Sequence, residues 1–585
     1  MKKIASELLV ERLADWGVDT VFGLPGDGIN GLTEGFRRHA DRIRFVLVHH
    51  EEAAAFMATG YAKSTGRLGV CFATSGPGAI HLLNGLYDAK LDHVPVLAIT
   101  GMQGPSLLGT GYQQEVHLER LFDDVTEYNA MVHVPVHIPT LVDKAVRTAL
   151  ARRGVSHITF PVDIQQAPAD ADPWEIGAPA RVPATSATYL PAPGLPCAED
   201  LNRAAAVLNA GGKVVMLVGA GALGAREEVL AVAETLGSPI VKTLPGKAVV
   251  ADDHPLTTGG LGLLGTLPTE KAMDDSDTLF MVGTNFPFTK FLPEPDVRTV
   301  QIEADPTRAG DRTPTEIPLV GDAKQTLTAL LPLLERKTDR GFLESAQSDM
   351  ADWRDKMAAL EDAERDPIQP QYLMRLIDRQ ADDDAILSAD SGTIATWAAR
   401  HYDIRGNRTF MLSGNLASMA PGLPYTIAAQ VAHPDRQCIA FVGDGGFAML
   451  MAEFLTAARH GLPIKVFICN NGLLGQILWE QMALGFPEFG VRWGQRANFA
   501  PWAEACGGRG IAVDKPGELE AAVAAALAFP GPALVDVAVN PDEPPMPAKI
   551  TYDQAKGFVE AFLHGQPRKA TIASTLIRDR VGRLG

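Results

Sequence analysis

Gly443-Asp444-Gly445-Gly446 follows the apolar run Gln437–Val442, and Asn470-Asn471 follows the apolar run Ile464-Lys465-Val466-Phe467-Ile468-Cys469. Between them, Met449 to Arg459 has the period of a short helix. An acid on the turn after one strand and an Asn just past the next can converge on one cation. Both stand at the carboxyl ends of neighbouring strands, where open α/β sheets bind ligands. Two hard oxygen ligands, with room left for phosphate oxygens, suit magnesium. An Asp-Gly turn alone is common. With Asp390-Ser391-Gly392-Thr393 ending another strand, a ligand site becomes the better reading.

The rest of the chain fits that local picture. At 585 residues it is too long for one core, and about 150 residues per domain gives three or four domains. With 46% hydrophobic and 21% charged residues it is an ordinary globular protein. A net charge of −18 argues against a nucleic-acid-binding surface. The five cysteines form no CxxC or Cys/His cluster, which leaves zinc and iron–sulfur ligation without support. The N-terminal stretch carries Glu7, Glu11 and Asp15 in an amphipathic pattern and reads as a first helix, not a signal peptide. No apolar run reaches membrane-spanning length, so the expected location is cytoplasmic.

The expected fold class is α/β, with three doubly wound parallel-sheet domains. Residues 1–180 alternate strand-like runs (Thr20–Leu24, Ile43–His49, Leu68–Ala73, Val94–Thr100, His157–Val162) with helical periodicity. A Pro/Ala-rich linker, Gly177–Pro196, follows. Residues 197–336 form a second block with strands Lys213–Val218, Pro239–Thr243, Thr278–Val282 and Arg298–Ile302, and Lys337–Pro370 is a charged helical connector. Residues 371–545 repeat the style of the first block, with strands Ala385–Ser388, Thr409–Leu412, Gln437–Val442, Ile464–Cys469 and Ala533–Val539; residues 546–585 are a tail.

Each block carries further motifs. In the first, Val48-His49-His50-Glu51-Glu52 ends a strand and opens a helix at Ala53, where acids usually serve as caps. Ser75-Gly76-Pro77-Gly78, His81, Asn84-Gly85, Asp92-His93-Val94-Pro95-Val96 and Gly111-Tyr112-Gln113-Gln114-Glu115 follow. In the third, Ser413-Gly414-Asn415-Leu416-Ala417-Ser418-Met419 ends a strand just before Pro421-Gly422. In the second, Gly219-Ala220-Gly221, Thr243 to Lys247, Gly260 to Gly265, Gly283-Thr284-Asn285-Phe286, Glu303 and Asp322 follow apolar strands, as for a nucleotide lying across strand ends. The alternative there is a nucleotide-type fold that binds nothing.

Together these residues resemble the thiamine diphosphate enzymes, and nearly the whole chain is similar to their pyruvate oxidase/acetolactate synthase group. The resemblance implies a magnesium ion on Asp444, Asn471 and the Leu473 carbonyl, clamping the diphosphate. Gly392, Thr393, Ser418, Gly445 and Gly446 would line that end, with Gly446 where a serine often stands. Met419 would be the apolar wedge that bends the coenzyme; the bland alternative is a core methionine. Gly26 and Ser75 would line the pyrimidine end, and Glu51 would pair with the aminopyrimidine ring nitrogen, driving its activation. Glu52 points about 100° away on a helix and reads as a cap. Gln114 is the candidate donor to the substrate, and Gln113 stands where the family usually has Phe. For FAD the implied residues are Gly219, Gly221, Thr243, Lys247, Gly262, Gly283, Asn285, Phe286, Glu303 and Asp322.

His81, Glu480 and the Gly283–Pro287 segment resemble the oxidases; the synthases tend to carry Asn, Trp and an arginine-bearing segment at these places. The implied reaction is oxidative decarboxylation of pyruvate to acetate or acetyl phosphate, with electrons passing through FAD to a quinone or oxygen. The implied assembly is a homodimer or homotetramer, with the coenzyme between the first block of one subunit and the third of its neighbour. An acetolactate-forming carboligase with structural or absent FAD is the alternative, and an inactive binding paralogue a weaker one. The tail from Lys549 resembles membrane-docking tails of quinone-reducing pyruvate dehydrogenases. Ile572, Leu576 and Ile577 with Arg568, Lys569, Arg578, Arg580 and Arg583 read equally as a lipid-binding stripe and as a solvated tail.

Overall fold

The computed structural model describes residues 2–170, 184–191, 194–545 and 552–584, with side chains described up to residue 576. The expected linker Gly177–Pro196 lies in part outside the described residues, and its portion 184–191 forms neither helix nor strand. Three six-stranded sheets carry the fold, and their strands pair parallel throughout. The first contains β1 (Thr20–Gly23), β2 (Arg44–Leu47), β3 (Gly69–Ala73), β4 (Val96–Met102), β5 (Tyr128–Met131) and β6 (Val155–Pro161), in the order β2-β1-β3-β4-β6-β5. The second contains β7 (Val214–Val218), β8 (Ile240–Lys242), β9 (Thr257–Gly260), β10 (Thr278–Val282), β11 (Arg298–Glu303) and β12 (Ile317–Val320), in the order β12-β11-β10-β7-β8-β9. The third contains β13 (Ile386–Ala389), β14 (Thr409–Met411), β15 (Cys438–Gly443), β16 (Lys465–Asn470), β17 (Arg509–Val513) and β18 (Ala533–Ala538), in the order β14-β13-β15-β16-β18-β17.

The first and third sheets therefore share one topology, and the likeness of style between the outer blocks is a likeness of fold. The middle sheet has the dinucleotide-binding order instead. Its central strands, such as Val214–Val218 and Thr278–Val282, are buried along their whole length, because helices cover both faces of a parallel sheet. Four strands escape the sequence reading: β5, β9, β12 and β17. Each lies at a sheet edge, where one side needs no partner and a mixed sequence such as Arg509-Gly510-Ile511-Ala512-Val513 suffices.

Two helix boundaries also differ from expectation. The segment after Gly443 is not one helix from Met449; it is two, Asp444–Leu450 and Glu453–Arg459. The helix after β2 begins at Glu51 rather than Ala53, because the His50 ring accepts the Glu52 N–H and caps it.

The outer domains meet through two topologically equivalent helices, Glu51–Thr65 and Gly422–Ala432, each following the edge strand of its sheet. The first presents Ala53, Ala54, Ala55, Ala58, Gly60 and Ala62 as buried positions, so the backbones approach closely. A Cβ at Gly60 would lie 2.8 Å from the Tyr425 Cα. Both helices belong to one continuous apolar core. At its far end, Lys63 Nζ donates to Asp92 Oδ2 at 2.7 Å, the Leu412 carbonyl at 2.7 Å and the Tyr425 hydroxyl at 2.8 Å.

The tail is helical at Tyr552–Leu563 and Lys569–Leu584. Ile572 is fully buried, and Leu576 packs with Phe558 and Phe562 against Leu473, Leu478 and Trp479. Those two residues of the proposed apolar stripe thus face the protein, while Ile577, Arg578, Arg580 and Arg583 lie outside the described side chains. No described helix is long and apolar enough to cross a membrane. Gly60→Val should force the two interdomain helices apart and destabilise the protein by about 1–3 kcal/mol. A thermal unfolding midpoint equal to the parent's would contradict that packing.

Candidate active site

In a sheet of this order the strand sequence reverses between the first and third strands, and the crevice above that point takes ligands. In the third domain the point lies between β13 and β15, and three loops converge there. Asp390 follows β13, Asp444 opens the helix after β15, and Asn471 follows β16. Asp444 Oδ2 accepts the Gly472 N–H at 2.9 Å, and Asn471 Oδ1 accepts the Leu473 N–H at 3.1 Å. A Cβ at Gly475 would meet Asn471 Nδ2 at 3.3 Å and Thr393 Cγ2 at 3.1 Å, so Thr393 belongs to the same cluster. The two asparagines divide their work. Asn470 is buried and donates to Asp536 Oδ1 at 2.8 Å and the Ala497 carbonyl at 2.7 Å, leaving Asn471 as the residue beside Asp444.

Burial pushes the Asp444 carboxyl up to about 6, with Asp536 adding to the effect. A divalent ion held by a buried carboxylate offsets the cost of burying that charge. Carboxylate, amide oxygen and backbone carbonyl are hard ligands, so this set fits Mg²⁺. Asp390 is buried too, and burial pushes it up to about 7. Its Oδ1 accepts the Gly422 N–H at 2.8 Å, while Oδ2 has no protein partner and faces Gly446, where a Cβ would sit only 2.0 Å away. A side chain at 446, where the resemblance expects serine, would therefore require the Asp390 carboxylate to move. Ser391 Oγ and Gln476 Oε1 are likewise buried without partners. Of these the Ser391 hydroxyl can donate to a phosphate oxygen, while the carboxylate and amide oxygens call for donors such as water.

Gly445 is also where apolar groups gather. A Cβ there would touch the Trp493 ring at 2.9 Å and the Met419 methyl at 3.3 Å. Trp493 is absent from the sequence reading. It arrives through antiparallel pairing of Leu473 with Arg492, with its N–H donated to the Gly472 carbonyl at 3.0 Å. The glycines at 490 and 494 on either side, both in the left-handed region, were its only local signal. Glu480 lies on the next helix, Gly475–Ala483, exposed and 3.0 Å from Gln476 Nε2.

The first domain has its own crevice, between β1 and β3. Gly26 and Gly28 pack against Thr74 and Ser75, and Gly28 donates its N–H to Thr74 Oγ1 at 3.2 Å. Ser75 Oγ donates to Gln114 Oε1 at 3.1 Å, and Gln114 holds a left-handed φ of 63°. Glu51 is buried, and its Oε2 meets His81 Nδ1 at 2.9 Å. His81 stacks on His50 with ring centroids 4.5 Å apart. His50, Glu51 and His81 place ligand atoms within 4.8 Å of one another, a spacing open to a metal. However, His50 Nδ1 already accepts the Glu52 N–H at 3.1 Å, which consumes that lone pair in capping.

Glu453, unmarked in the sequence, ties this turn to the third domain. It is fully buried and accepts the N–H groups of His49 at 2.9 Å and His50 at 3.0 Å through Oε1, and the Thr456 hydroxyl at 2.7 Å through Oε2.

In the middle domain the reversal lies between β7 and β10, where Gly219-Ala220-Gly221 and Gly283-Thr284-Asn285 face each other. Gly221 donates its N–H to the Gly283 carbonyl at 3.0 Å. Asn285 Oδ1 is buried without a partner, and Phe286 is buried with its ring near Gly262. Other expected residues have protein partners. Lys247 donates to Asp252 Oδ2 at 2.8 Å and the Ala399 carbonyl at 3.1 Å. Asp322 caps the helix Ala323–Leu330 by accepting the Gln325 N–H at 2.9 Å, Glu303 accepts the Ala304 N–H at 2.9 Å, and Thr243 Oγ1 accepts the Gly246 N–H at 3.2 Å. The crevice and the unpartnered Asn285 Oδ1 fit a dinucleotide, while Lys247 already has protein partners.

Comparison with known proteins agrees with this geometry. Residues 4–121, 201–330 and 390–537 match the N-terminal, central and C-terminal domains of the thiamine pyrophosphate enzymes. Over 561 residues the chain is 41% identical to the Bacillus subtilis protein named "Putative thiamine pyrophosphate-containing protein YdaP", covering 96% of each. It is 32% identical over 567 residues to the pyruvate oxidase of Lactiplantibacillus plantarum, covering 96% of this chain and 93% of that one. It is also 32% identical over 554 residues to the chloroplastic acetolactate synthase of Arabidopsis thaliana, covering 91% and 81%. The chain belongs to the thiamine pyrophosphate enzyme family, as a thiamine diphosphate-dependent enzyme related to the pyruvate oxidases and acetolactate synthases.

The buried Glu453 gives a pH test. Burial lifts its carboxyl from 4.5 to about 7, so the folded chain holds that proton more tightly than the unfolded one. The resulting stability is present in full below about pH 4.5 and is lost as pH rises through about 7. Glu453→Gln keeps an oxygen for both N–H groups but does not titrate. Across that window the parent's thermal midpoint should fall relative to the variant's; a constant offset between them would contradict the assignment.

Proposed function

We propose that the chain oxidatively decarboxylates pyruvate, using thiamine diphosphate, Mg²⁺ and FAD. The observation that carries this reading is the hydrogen bond between Glu51 and His81, the oxidase-type histidine resting on the carboxyl group the coenzyme needs. When bound, thiamine diphosphate supplies an acidic carbon that attacks the keto group and an electron sink for loss of carbon dioxide.

The chain's own residues have the following roles. Asp444, Asn471 and the Leu473 carbonyl would hold Mg²⁺, and Gly392, Thr393, Ser418, Gly445 and Gly446 would line the diphosphate. Gly26 and Ser75 line the pyrimidine end. Glu51 holds a proton at the aminopyrimidine ring nitrogen, and His81 fixes the orientation of that carboxyl. Met419 and Trp493 would form the apolar wall beside Gly445 against which the coenzyme rests. Gln114, held by Ser75, donates to the substrate carbonyl or carboxylate. Glu480, exposed on the Gly475–Ala483 helix, is the candidate acid for the substrate's side of the site. Gly219, Gly221, Gly262, Gly283, Asn285, Phe286 and Glu303 would line the crevice for FAD, which would supply the two-electron acceptor this oxidation needs, with a quinone or oxygen as the final acceptor. The product is acetate, or acetyl phosphate where phosphate replaces water.

The coenzyme would lie between the first domain of one subunit and the third of another, in a homodimer or homotetramer. Exposed Val559 and Leu563, not the buried Ile572, are the tail's candidates for membrane contact.

A carboligase is the second reading, favoured by the extent of similarity to acetolactate synthases. Two measurements separate them. Pyruvate added without oxygen should bleach the flavin spectrum of the oxidase; an unchanged spectrum with acetolactate accumulating would establish the carboligase. Glu51→Gln should bind thiamine diphosphate and Mg²⁺ yet lose about 10²–10⁴-fold in turnover. Retained turnover would remove Glu51 from the mechanism.

A further inference from the structure

The sequence motif Asp92-His93-Val94-Pro95 has no part in the roles above, yet its first residue is among the most heavily bonded side chains between domains. Asp92 ends the helix Leu83–Leu91, where the helix dipole disfavours an acid, and His93 turns the chain away at a φ of 55°. Burial opposes its charge, but Lys63 and the N–H groups of Gly414 and Asn415 hold its carboxyl below the usual range. Oδ2 accepts the Gly414 N–H at 2.8 Å, and Oδ1 accepts the Asn415 N–H and side-chain amide, each at 2.8 Å. The same amide donates to the Leu91 carbonyl at 3.0 Å.

The other end of this helix makes a second attachment. Asn84 Nδ2 donates to Ser418 Oγ at 3.2 Å and to Glu52 Oε1 at 2.6 Å. The loop from Ser413 to Ser418 therefore runs along one first-domain helix and is fastened at both ends. Within it, Ser418 N donates to Ser413 Oγ at 2.9 Å. Ala417 and Ala420 hold φ values of 57° and 79°, which residues with a Cβ keep only where the surroundings impose them. Met419 lies between those two residues, with its methyl at Gly445.

We infer that Asp92, with Asn84, is a positioning residue for Met419: the first domain presets the loop that shapes the coenzyme site of the third domain in the same chain. The inference rests on the reading of Met419 as the side chain that bends the coenzyme. Without the Asp92 carboxylate, Gly414 and Asn415 lose their acceptors, the loop relaxes from its left-handed turns, and Met419 leaves its place.

The test compares the parent with Asp92→Asn, Asp92→Glu, Asn84→Ala and Met419→Ala as full-length proteins. Hydrogen exchange of residues 413–421 is read without coenzyme. The near-ultraviolet circular dichroism of bound thiamine diphosphate and the kcat and KM for pyruvate are read with it. Asp92→Asn should raise exchange in that segment, shift the dichroism and lower kcat on the order of tenfold with little change in KM. Asp92→Glu should recover part of each. Protected exchange with parental dichroism in Asp92→Asn would overturn the inference, as would a kcat loss with exchange unchanged. Should Asp92→Asn fail to fold, exposed Asn84→Ala decides: faster exchange around Ser418 with lower kcat supports the inference, and parental values overturn it. If Met419→Ala keeps parental kcat and dichroism, the reading of Met419 is wrong, separately from whether Asp92 holds the loop.

Discussion

The close approach of Gly60 to Tyr425 is the contact on which the arrangement of the outer domains depends. Two helices can meet so nearly backbone to backbone only where one offers glycine and alanine along its face. The consequence is functional as well as structural. The Glu51–Thr65 helix begins with the candidate catalytic glutamate, and the Gly422–Ala432 helix begins three residues after Met419. Since the two sheets share one strand order, these are the same element used twice, with Glu51 opening one copy and Met419 standing just ahead of the other.

Around that contact the protein buries acids where a simple core would have none. Asp444, Asp390 and Glu453 are each pushed up by burial. Their surroundings differ, and so do their uses. Glu453 has three donors and ties the His49-His50 turn to the third domain. Asp390 spends one oxygen on the turn after Met419 and keeps the other toward Gly446. Asp444 accepts backbone N–H groups, the Gly472 N–H among them, on the turn that leads from Asn471. Burying polar groups is costly unless they are paired, so the unpartnered Asp390 Oδ2 marks a place where a ligand or water belongs.

Much of this was legible in the sequence because parallel sheets bring functional groups to strand ends, where spacing is local. Asp444, Asn471 and Asp390 each follow an apolar run, and the three-domain α/β order can be read from such runs. What escaped was either at an edge or non-local. Strands β5, β9 and β17 lack continuous apolar character because edges do not require it, and β12, Ile317-Pro318-Leu319-Val320, is interrupted by a proline that an edge tolerates. Trp493 reaches Gly445 only through the pairing of Leu473 with Arg492, and Glu453 reads as a surface acid until the first domain covers it. Asp322 and Lys247 follow strands as nucleotide ligands do, but one caps a helix and the other joins Asp252 in a buried ion pair. Strand-end position alone does not separate those roles.

The central claim is that one coenzyme is gripped by two chains, its ring by Glu51 of one and its diphosphate through Asp444 of the other. Co-expressing Glu51→Gln and Asp444→Asn chains, each inactive alone, tests it most directly. A dimer of unlike chains would then hold one site carrying both lesions and one carrying neither, so random assortment should restore about a quarter of the parent's specific activity. If mixed dimers form and remain as inactive as the separate variants, each site is built within a single chain and the account is wrong.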